Sequence, residues 1–68
     1  MSIRVRVNGH EREIAAGTTV TALLASLGIA REGAAVERNR EIVPRSRHGE
    51  TVVEDGDAIE IVTAVGGG

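Results

Sequence analysis

The 68-residue sequence contains no cysteine, no aromatic residue and no lysine, so all eight of its basic residues are arginine. Without cysteine the chain forms no disulfide, thiolate metal site or cysteine nucleophile. Without aromatic rings it has nothing to stack against a nucleic-acid base. Without lysine it lacks a phosphate-loop lysine, a Schiff-base lysine and an isopeptide acceptor. These absences exclude several classes of enzyme and the usual means of binding single-stranded nucleic acid.

The charge and the distribution of apolar residues are typical of a single water-soluble domain. The formal net charge is -2, which does not favour nucleic acid as a partner. The longest apolar run is far shorter than the ~20 residues of a membrane-spanning helix. The first residues are charged and unlike a secretory signal. We therefore expect a cytoplasmic protein that binds neither nucleic acid nor membrane.

The N-terminal segment has the pattern of a β-hairpin. Ile3, Val5 and Val7 alternate with arginines, as in a strand with one buried face. Asn8-Gly9 then favours a two-residue type I′ turn. Two Arg–Glu pairs fall on the face opposite the valines, and they support the same pairing. The predicted register pairs Ile3 with Ile14, Arg4 with Glu13, Val5 with Arg12, Arg6 with Glu11, and Val7 with His10.

A short amphipathic helix is predicted after the hairpin. Thr18 or Thr19 supplies a hydroxyl to cap its first turn, and Gly28 provides a left-handed end. Ile29 is expected to fold back onto the last turn. The apolar stripe of this helix has the spacing i, i+3, i+4 and i+7 and consists of Val20, Leu23, Leu24 and Leu27.

The remaining residues predict short strands separated by turns. The segments are 34–38, 41–43 and 58–65, with 51–53 as a small strand or extended turn. The last strand is apolar on both sides, which suits a central position beside the first strand. The helix must cover the valine face of the sheet. The predicted fold class is α+β, a ubiquitin-like β-grasp with a mixed four- or five-stranded sheet packed on one main helix.

The polar residues form no recognisable catalytic or metal site. His10 and His48 are far apart and lack second ligands at metal spacing, so both are interpreted as half-buried or surface residues, with a weaker possibility that His48 contacts a partner. Glu54, Asp55 and Asp57 do not have the spacing of a calcium loop and are interpreted as a solvated turn. No nucleophile is accompanied by a base and an orienting group. We therefore expect no intrinsic catalysis and no metal.

The C-terminal residues Gly66, Gly67 and Gly68 follow the last strand without a polar spacer. Three extended residues reach at most ~10 Å, and a thread without side chains fits a channel too narrow for other residues. Its terminal carboxylate becomes electrophilic once ATP adenylates it. The chain has no nucleotide fingerprint, so a partner would have to use the ATP. We predict a domain at residues 1–65 and a tail at residues 66–68 that is mobile until bound.

Several segments together carry a family resemblance that covers nearly the whole chain. They are Asn8-Gly9, residues 17–20 with Leu23-Leu24, residues 36–45 with their Ile-Val-Pro-Arg sequence, residues 55–62 beginning Asp-Gly-Asp, and residues 64–68. In this combination the sequence resembles the ThiS family of bacterial sulfur carriers, which supply sulfur for the thiazole ring of thiamin. It departs from the family at His48, where an aromatic residue is frequent, and at Arg38 and Arg40, where small residues are common.

The resemblance implies a mechanism and partners. A ThiF/MoeB-like adenylyltransferase would use ATP to adenylate Gly68, while Gly66 and Gly67 thread into the enzyme. Sulfur from a donor such as a cysteine desulfurase would convert the adenylate into a thiocarboxylate. A thiazole synthase would then take the sulfur. The chain would be a protein co-substrate and would bind no cofactor itself.

Alternative functions share parts of this pattern. The same terminus would serve the small subunit of molybdopterin synthase or a carrier for another sulfur metabolite. A ubiquitin-like interaction domain with an inert tail, or a protein tag, would also fit. For any carrier, the exposed sheet face near the tail is expected to contact the activating enzyme, with Val62 and Ala64 as apolar candidates.

Overall fold

The computed structural model describes residues 1–30 and 33–63. Two strands, one helix and three further strands follow one another along the chain. They are β1 (Ser2–Val7), β2 (His10–Ala15), α1 (Val20–Ser26), β3 (Ala34–Arg38), β4 (Glu41–Val43) and β5 (Ala58–Thr63). The last predicted strand also included Ala64 and Val65, which lie outside the described residues, as does the predicted tail at residues 66–68.

The five strands form one mixed sheet in the order β2-β1-β5-β3-β4. β5 is central, as predicted, and it pairs parallel to β1 and antiparallel to β3. The β1–β2 register contains all five predicted pairs, from Ile3 with Ile14 to Val7 with His10. The Asn8-Gly9 turn has positive φ angles of 51° and 85°, as a type I′ turn requires. The hairpin prediction is therefore confirmed residue by residue.

Helix α1 begins and ends at the predicted residues. The Thr19 hydroxyl accepts a hydrogen bond of 3.1 Å from the Ala22 amide, which satisfies one free donor of the first turn. Gly28 has a φ of 73°, and the Ile29 amide donates to the Leu24 carbonyl at 3.0 Å. The chain thus reverses over the last turn, and Ile29 packs against the core.

The core lies between α1 and one face of the sheet. Val20, Leu23 and Leu24 of the helix are buried, with Leu27 partly buried against them. The sheet and the following loop contribute Val5, Val7, Ala34, Val36, Val43, Val53, Ile59 and Ile61. The opposite face of the sheet has no helix against it among the described residues. We call this uncovered face, opposite the core, the open face.

The segment between β4 and β5 is more ordered than its polar sequence indicates. Pro44 ends β4, and Arg45–Arg47 form one turn of 3-10 helix. Residues 51–53, predicted as a small strand or an extended turn, form a single bridge between Val52 and Thr19. The Val53 amide donates to the Thr18 carbonyl at 2.9 Å. This segment is therefore fastened to the start of α1 instead of joining the sheet.

Candidate functional site

The candidate site begins where β5 approaches the C-terminus. Val62 lies on the open face with 66% of its surface exposed, and Ala35 of β3 is directly opposite it. The other predicted contact, Ala64, and the predicted attachment residues Gly66, Gly67 and Gly68 lie outside the described residues. The structure thus leaves the Val62 side chain exposed to solvent on the open face.

The open face is divided between charged and apolar side chains. Arg4 and Arg6 of β1 both form ion pairs with Glu11 of β2, at 3.3 and 3.8 Å. These groups are more than half exposed, so the pairs contribute little to stability. The other half of the face carries the exposed side chains of Val62 and Ile42. The apolar part of the face is therefore on the side of β5 that is paired with β3.

Asn8 fastens the first hairpin to β5. Its side-chain carbonyl accepts from the Ile61 amide at 2.7 Å, and its side-chain amide donates to the Ile61 carbonyl at 3.1 Å. Its backbone amide donates to the Ile59 carbonyl at 2.9 Å. The Asn8 side chain therefore extends the hydrogen bonding between β1 and β5 past the end of β1. It fixes β5 at Ile61, near the C-terminal end of the strand.

Asn39 has a matching role at the other end of β5. Its side-chain carbonyl accepts from the Ala58 amide at 2.9 Å, and its side-chain amide donates to Asp57 at 3.0 Å. Its backbone amide donates to the Ala58 carbonyl at 2.8 Å. Each asparagine is at positive φ in a hairpin turn. Their side chains thus form hydrogen bonds to the central strand β5, one from each of the two neighbouring hairpins.

Replacing Asn8 with glycine should lower the free energy of unfolding by about 1–2 kcal/mol, because two hydrogen bonds are removed while the positive φ remains allowed. Arg40→Gly is the matched control, because Arg40 also has a positive φ of 72°. Among the described residues it makes no hydrogen bond or ion pair. Urea denaturation of both variants measures the difference. Equal stability of the two variants would show that the Asn8 side chain does not hold β5.

Asp57 is the buried charge of the structure. It is only 6% exposed, and its carboxylate accepts from Arg38 Nε at 2.8 Å and from the Glu54 amide at 2.8 Å. The interpretation of this turn as wholly solvated was wrong for Asp57, because long-range partners surround it. It was right for the exposed Glu54 and Asp55. Asp57 therefore organises the entry into β5 and is unavailable to a ligand.

His48 is also buried, with 1% of its surface exposed. Its Nε2 lies 3.1 Å from the Val43 carbonyl, and this nitrogen carries the proton because a carbonyl only accepts. The Nδ1 atom has no partner among the described residues. The expectation of a half-buried or surface histidine was wrong for His48, which directly follows the 3-10 turn and is fully buried. His10 is exposed, within the expected range.

The described residues contain neither a cluster of metal-binding side chains nor a membrane-spanning helix. No group of three histidine or acidic side chains among residues 1–30 and 33–63 is arranged to hold a metal ion. In the same part of the chain, no helix is long and apolar enough to span a membrane. Sequence reasoning missed the roles of Asn8, Asn39 and Asp57. Their positions in turns were evident, but which distant strand their side chains reach was not.

Comparisons with known proteins agree with this geometry. The ThiS family model matches residues 5–68. The sulfur carrier protein ThiS of Escherichia coli is 36% identical over 66 residues, covering 97% of this chain and 100% of that protein. A crystal structure of the thiamine biosynthesis protein ThiS from Geobacter metallireducens superposes with a TM-score of 0.82 at 38% identity, covering 97% of this chain and 100% of that one.

A further relative contains this domain within a longer chain. The thiazole synthase of Paramagnetospirillum magneticum is 48% identical over 66 residues, which are 97% of this chain but 20% of that protein. The chain thus spans about a fifth of that relative's length. A family match over nearly the whole chain and a shared fold lead to one conclusion: the chain belongs to the ThiS family, sulfur carrier proteins of thiamine biosynthesis with a ubiquitin-like β-grasp fold.

Proposed function

We propose that the chain carries sulfur for thiazole formation as a thiocarboxylate on Gly68. The observation that carries the proposal is the Gly-Gly-Gly terminus of a ThiS-family chain. Only two residues, Ala64 and Val65, separate it from Thr63, the last residue of the central strand. The body contributes position and recognition. The reactive group is the α-carboxylate, and the catalytic groups belong to partner enzymes.

The chemistry requires activation before sulfur transfer. The Gly68 carboxylate attacks the α-phosphorus of ATP on a ThiF/MoeB-like adenylyltransferase, and pyrophosphate leaves. The terminal sulfur of a persulfide, supplied by a donor such as a cysteine desulfurase, attacks the acyl carbon, and AMP leaves. A thiol then cleaves the resulting acyl disulfide, which leaves the thiocarboxylate on the carrier and a disulfide on the donor. ATP is therefore a substrate of the partner, and the carrier needs no bound cofactor.

A thiazole synthase is the proposed acceptor of the sulfur. Support comes from the Paramagnetospirillum protein of that name, which includes a segment similar to this chain. The same support favours the thiazole branch over molybdopterin synthesis or protein tagging. Because ATP and persulfide sulfur are used together in this scheme, we place the carrier in the cytoplasm.

Intact mass spectrometry tests the proposal directly. The purified chain is incubated with its cognate adenylyltransferase, ATP and a persulfide donor. We expect a mass gain equal to the replacement of one oxygen atom by sulfur, and loss of that gain when ATP is omitted. An unmodified mass, with an adenylyltransferase shown to be active on another carrier, would contradict the proposal.

A charge at Val62 should weaken the complex with the adenylyltransferase. Val62 is 66% exposed on the open face, and burying an unpaired carboxylate beneath a partner is unfavourable. We expect Val62→Asp to raise the Kd by about tenfold or more, by analogy with the truncation of an interface anchor. Isothermal titration calorimetry measures the effect.

Val52→Asp is the matched control for this substitution. Val52 is 42% exposed and lies in the loop that bridges to Thr19, away from the open face. Its variant should bind like the unmodified chain. If both variants bind equally well, the contact surface is not the open face near the tail.

A further inference from the structure

Two carboxylates face each other directly on the open face. Glu37 of β3 and Glu60 of β5 are cross-strand partners, so their Cβ atoms are about 5 Å apart. Like charges in this position destabilise a sheet. Neither carboxylate forms an ion pair with any described residue. The fold therefore gains nothing from this pair and would be more stable without it.

The carboxylate pair lies within the apolar part of the open face. Val62 follows Glu60 by two residues on β5, a spacing of about 7 Å along the strand. Ile42 of β4 is the cross-strand partner of Glu37. Val62 and Ile42 are 66% and 65% exposed. Glu37 lies between Glu60 and Ile42 across the three strands, so a surface that covers Val62 and Ile42 also reaches the two carboxylates beside them.

The tail keeps any enzyme that acts on Gly68 close to the end of β5. Five residues follow Thr63, and they span at most ~17 Å when extended. An enzyme that holds the terminal carboxylate in its active site must therefore approach the end of β5. On the other side of the sheet, α1 covers the core. The flat open face is the side where a partner can lie close to the strand.

We propose that the docking surface of the adenylating enzyme places an arginine between Glu37 and Glu60, with apolar side chains against Val62 and Ile42. This inference rests on the proposed function, because it assumes an enzyme that takes up the tail. Covering two carboxylates removes their hydration, and that cost is offset only by a buried cation hydrogen-bonded to them. The planar guanidinium suits the task because its fork of donors reaches two acceptors at once.

Charge-neutral variants test the inference. In Glu37→Gln/Glu60→Gln the side chains keep their shape, while both charges disappear. We expect the Kd for the cognate adenylyltransferase to rise by at least about 30-fold, as for the loss of one side of a buried charge pair. The midpoint of thermal unfolding should stay equal or rise, because the repulsion is removed. A higher Kd together with an equal or higher unfolding midpoint would show that the two carboxylates act in recognition and not in folding.

The matched control is Glu50→Gln/Glu54→Gln, which removes the same charge from two exposed sites in the segment between β4 and β5. Its Kd should change by less than about twofold, because exposed charges at a distance are screened. Glu60→Gln alone, at an exposed position, is the second variant and should show most of the loss. Raising the salt concentration should weaken binding of the unmodified chain more than that of Glu37→Gln/Glu60→Gln.

The outcomes separate the inference from the function on which it rests. If the unmodified chain acquires sulfur and both double variants bind as tightly as it does, the arginine contact is wrong and the carrier function stands. Equal losses in the two double variants, or a loss that accompanies a lower unfolding midpoint, also overturn the contact. If the unmodified chain never acquires sulfur with an active enzyme, the proposed function itself fails, whatever the affinities.

Discussion

Removing one terminal glycine should reduce sulfur loading by at least about 100-fold, because misplacing a reacting group by even 1 Å costs a factor of this size. Residues 66–68 are all glycine, so the shortened chain still ends in Gly-Gly with a free carboxylate. The deletion shortens the reach by about 3.3 Å and leaves the chemistry of the end unchanged. Intact mass after a timed incubation with ATP, adenylyltransferase and persulfide measures the loading.

A second variant distinguishes the effect of tail length from the effect of side-chain size in the proposed enzyme channel. Gly67→Val keeps the length and the carboxylate, but it adds a branched side chain next to the reacting group. We expect it to lose loading as well, because the proposed channel admits only a thread without side chains. Circular dichroism and the thermal midpoint should be unchanged in both variants, because the buried core lies within residues 5–61. Full loading of the shortened chain would show that the position of Gly68 does not limit the reaction.

The parts of the fold that depend on local pattern were predictable from the sequence. Asn8-Gly9 determines both the turn type and the hairpin register, because a two-residue turn leaves one way to pair the flanking residues. The stripe from Val20 to Leu27 and the left-handed Gly28 define the helix. The central position of β5 followed from its apolar residues on both faces. Each of these features is contained within a short window of sequence.

The parts that depend on contacts between distant residues were not predictable in this way. Asn8 bonds to Ile61, which is 53 residues away, and Arg38 bonds to Asp57, which is 19 residues away. The sequence around a polar turn residue is the same whether its side chain is exposed to solvent or hydrogen-bonded to a distant strand. His48 illustrates the same point, because nothing in the sequence around it indicates that its side chain is buried. The open-face carboxylate pair became visible only when the β3–β5 register was known.

The proposed reactive group was easier to predict from the sequence than the surface that a partner would contact. The sequence itself indicated the proposed reactive group, the α-carboxylate after three glycines, and it contains no cysteine or lysine nucleophile. Which surface guides that carboxylate into an enzyme depends on how three strands, β5, β3 and β4, are placed side by side. Val62 was identified because it is apolar and near the end of the last strand. Its neighbours Ala35, Glu37 and Ile42 belong to other strands.

Asp57→Ala should lower the free energy of unfolding by about 3 kcal/mol, since it removes all three hydrogen bonds to a buried carboxylate together. A domain of this length has a total stability of only about 3–10 kcal/mol, so much of the population would unfold on mild heating. The three donors are Arg38 Nε, Asn39 Nδ2 and the Glu54 amide, at 2.8, 3.0 and 2.8 Å from the carboxylate oxygens. Urea denaturation measures the change.

Asp55→Ala is the control within the same turn. Asp55 is exposed, and its carboxylate accepts one bond of 2.8 Å, from the Arg4 amide. We expect its removal to cost less than about 1 kcal/mol. Similar losses of stability in the two variants would mean that the buried network does not set the stability. Asp57 precedes β5 and lies far from Gly68 in sequence. Sulfur loading of the folded fraction of Asp57→Ala should therefore be unchanged. This result would show that Asp57 stabilises the domain and takes no part in the reaction at Gly68.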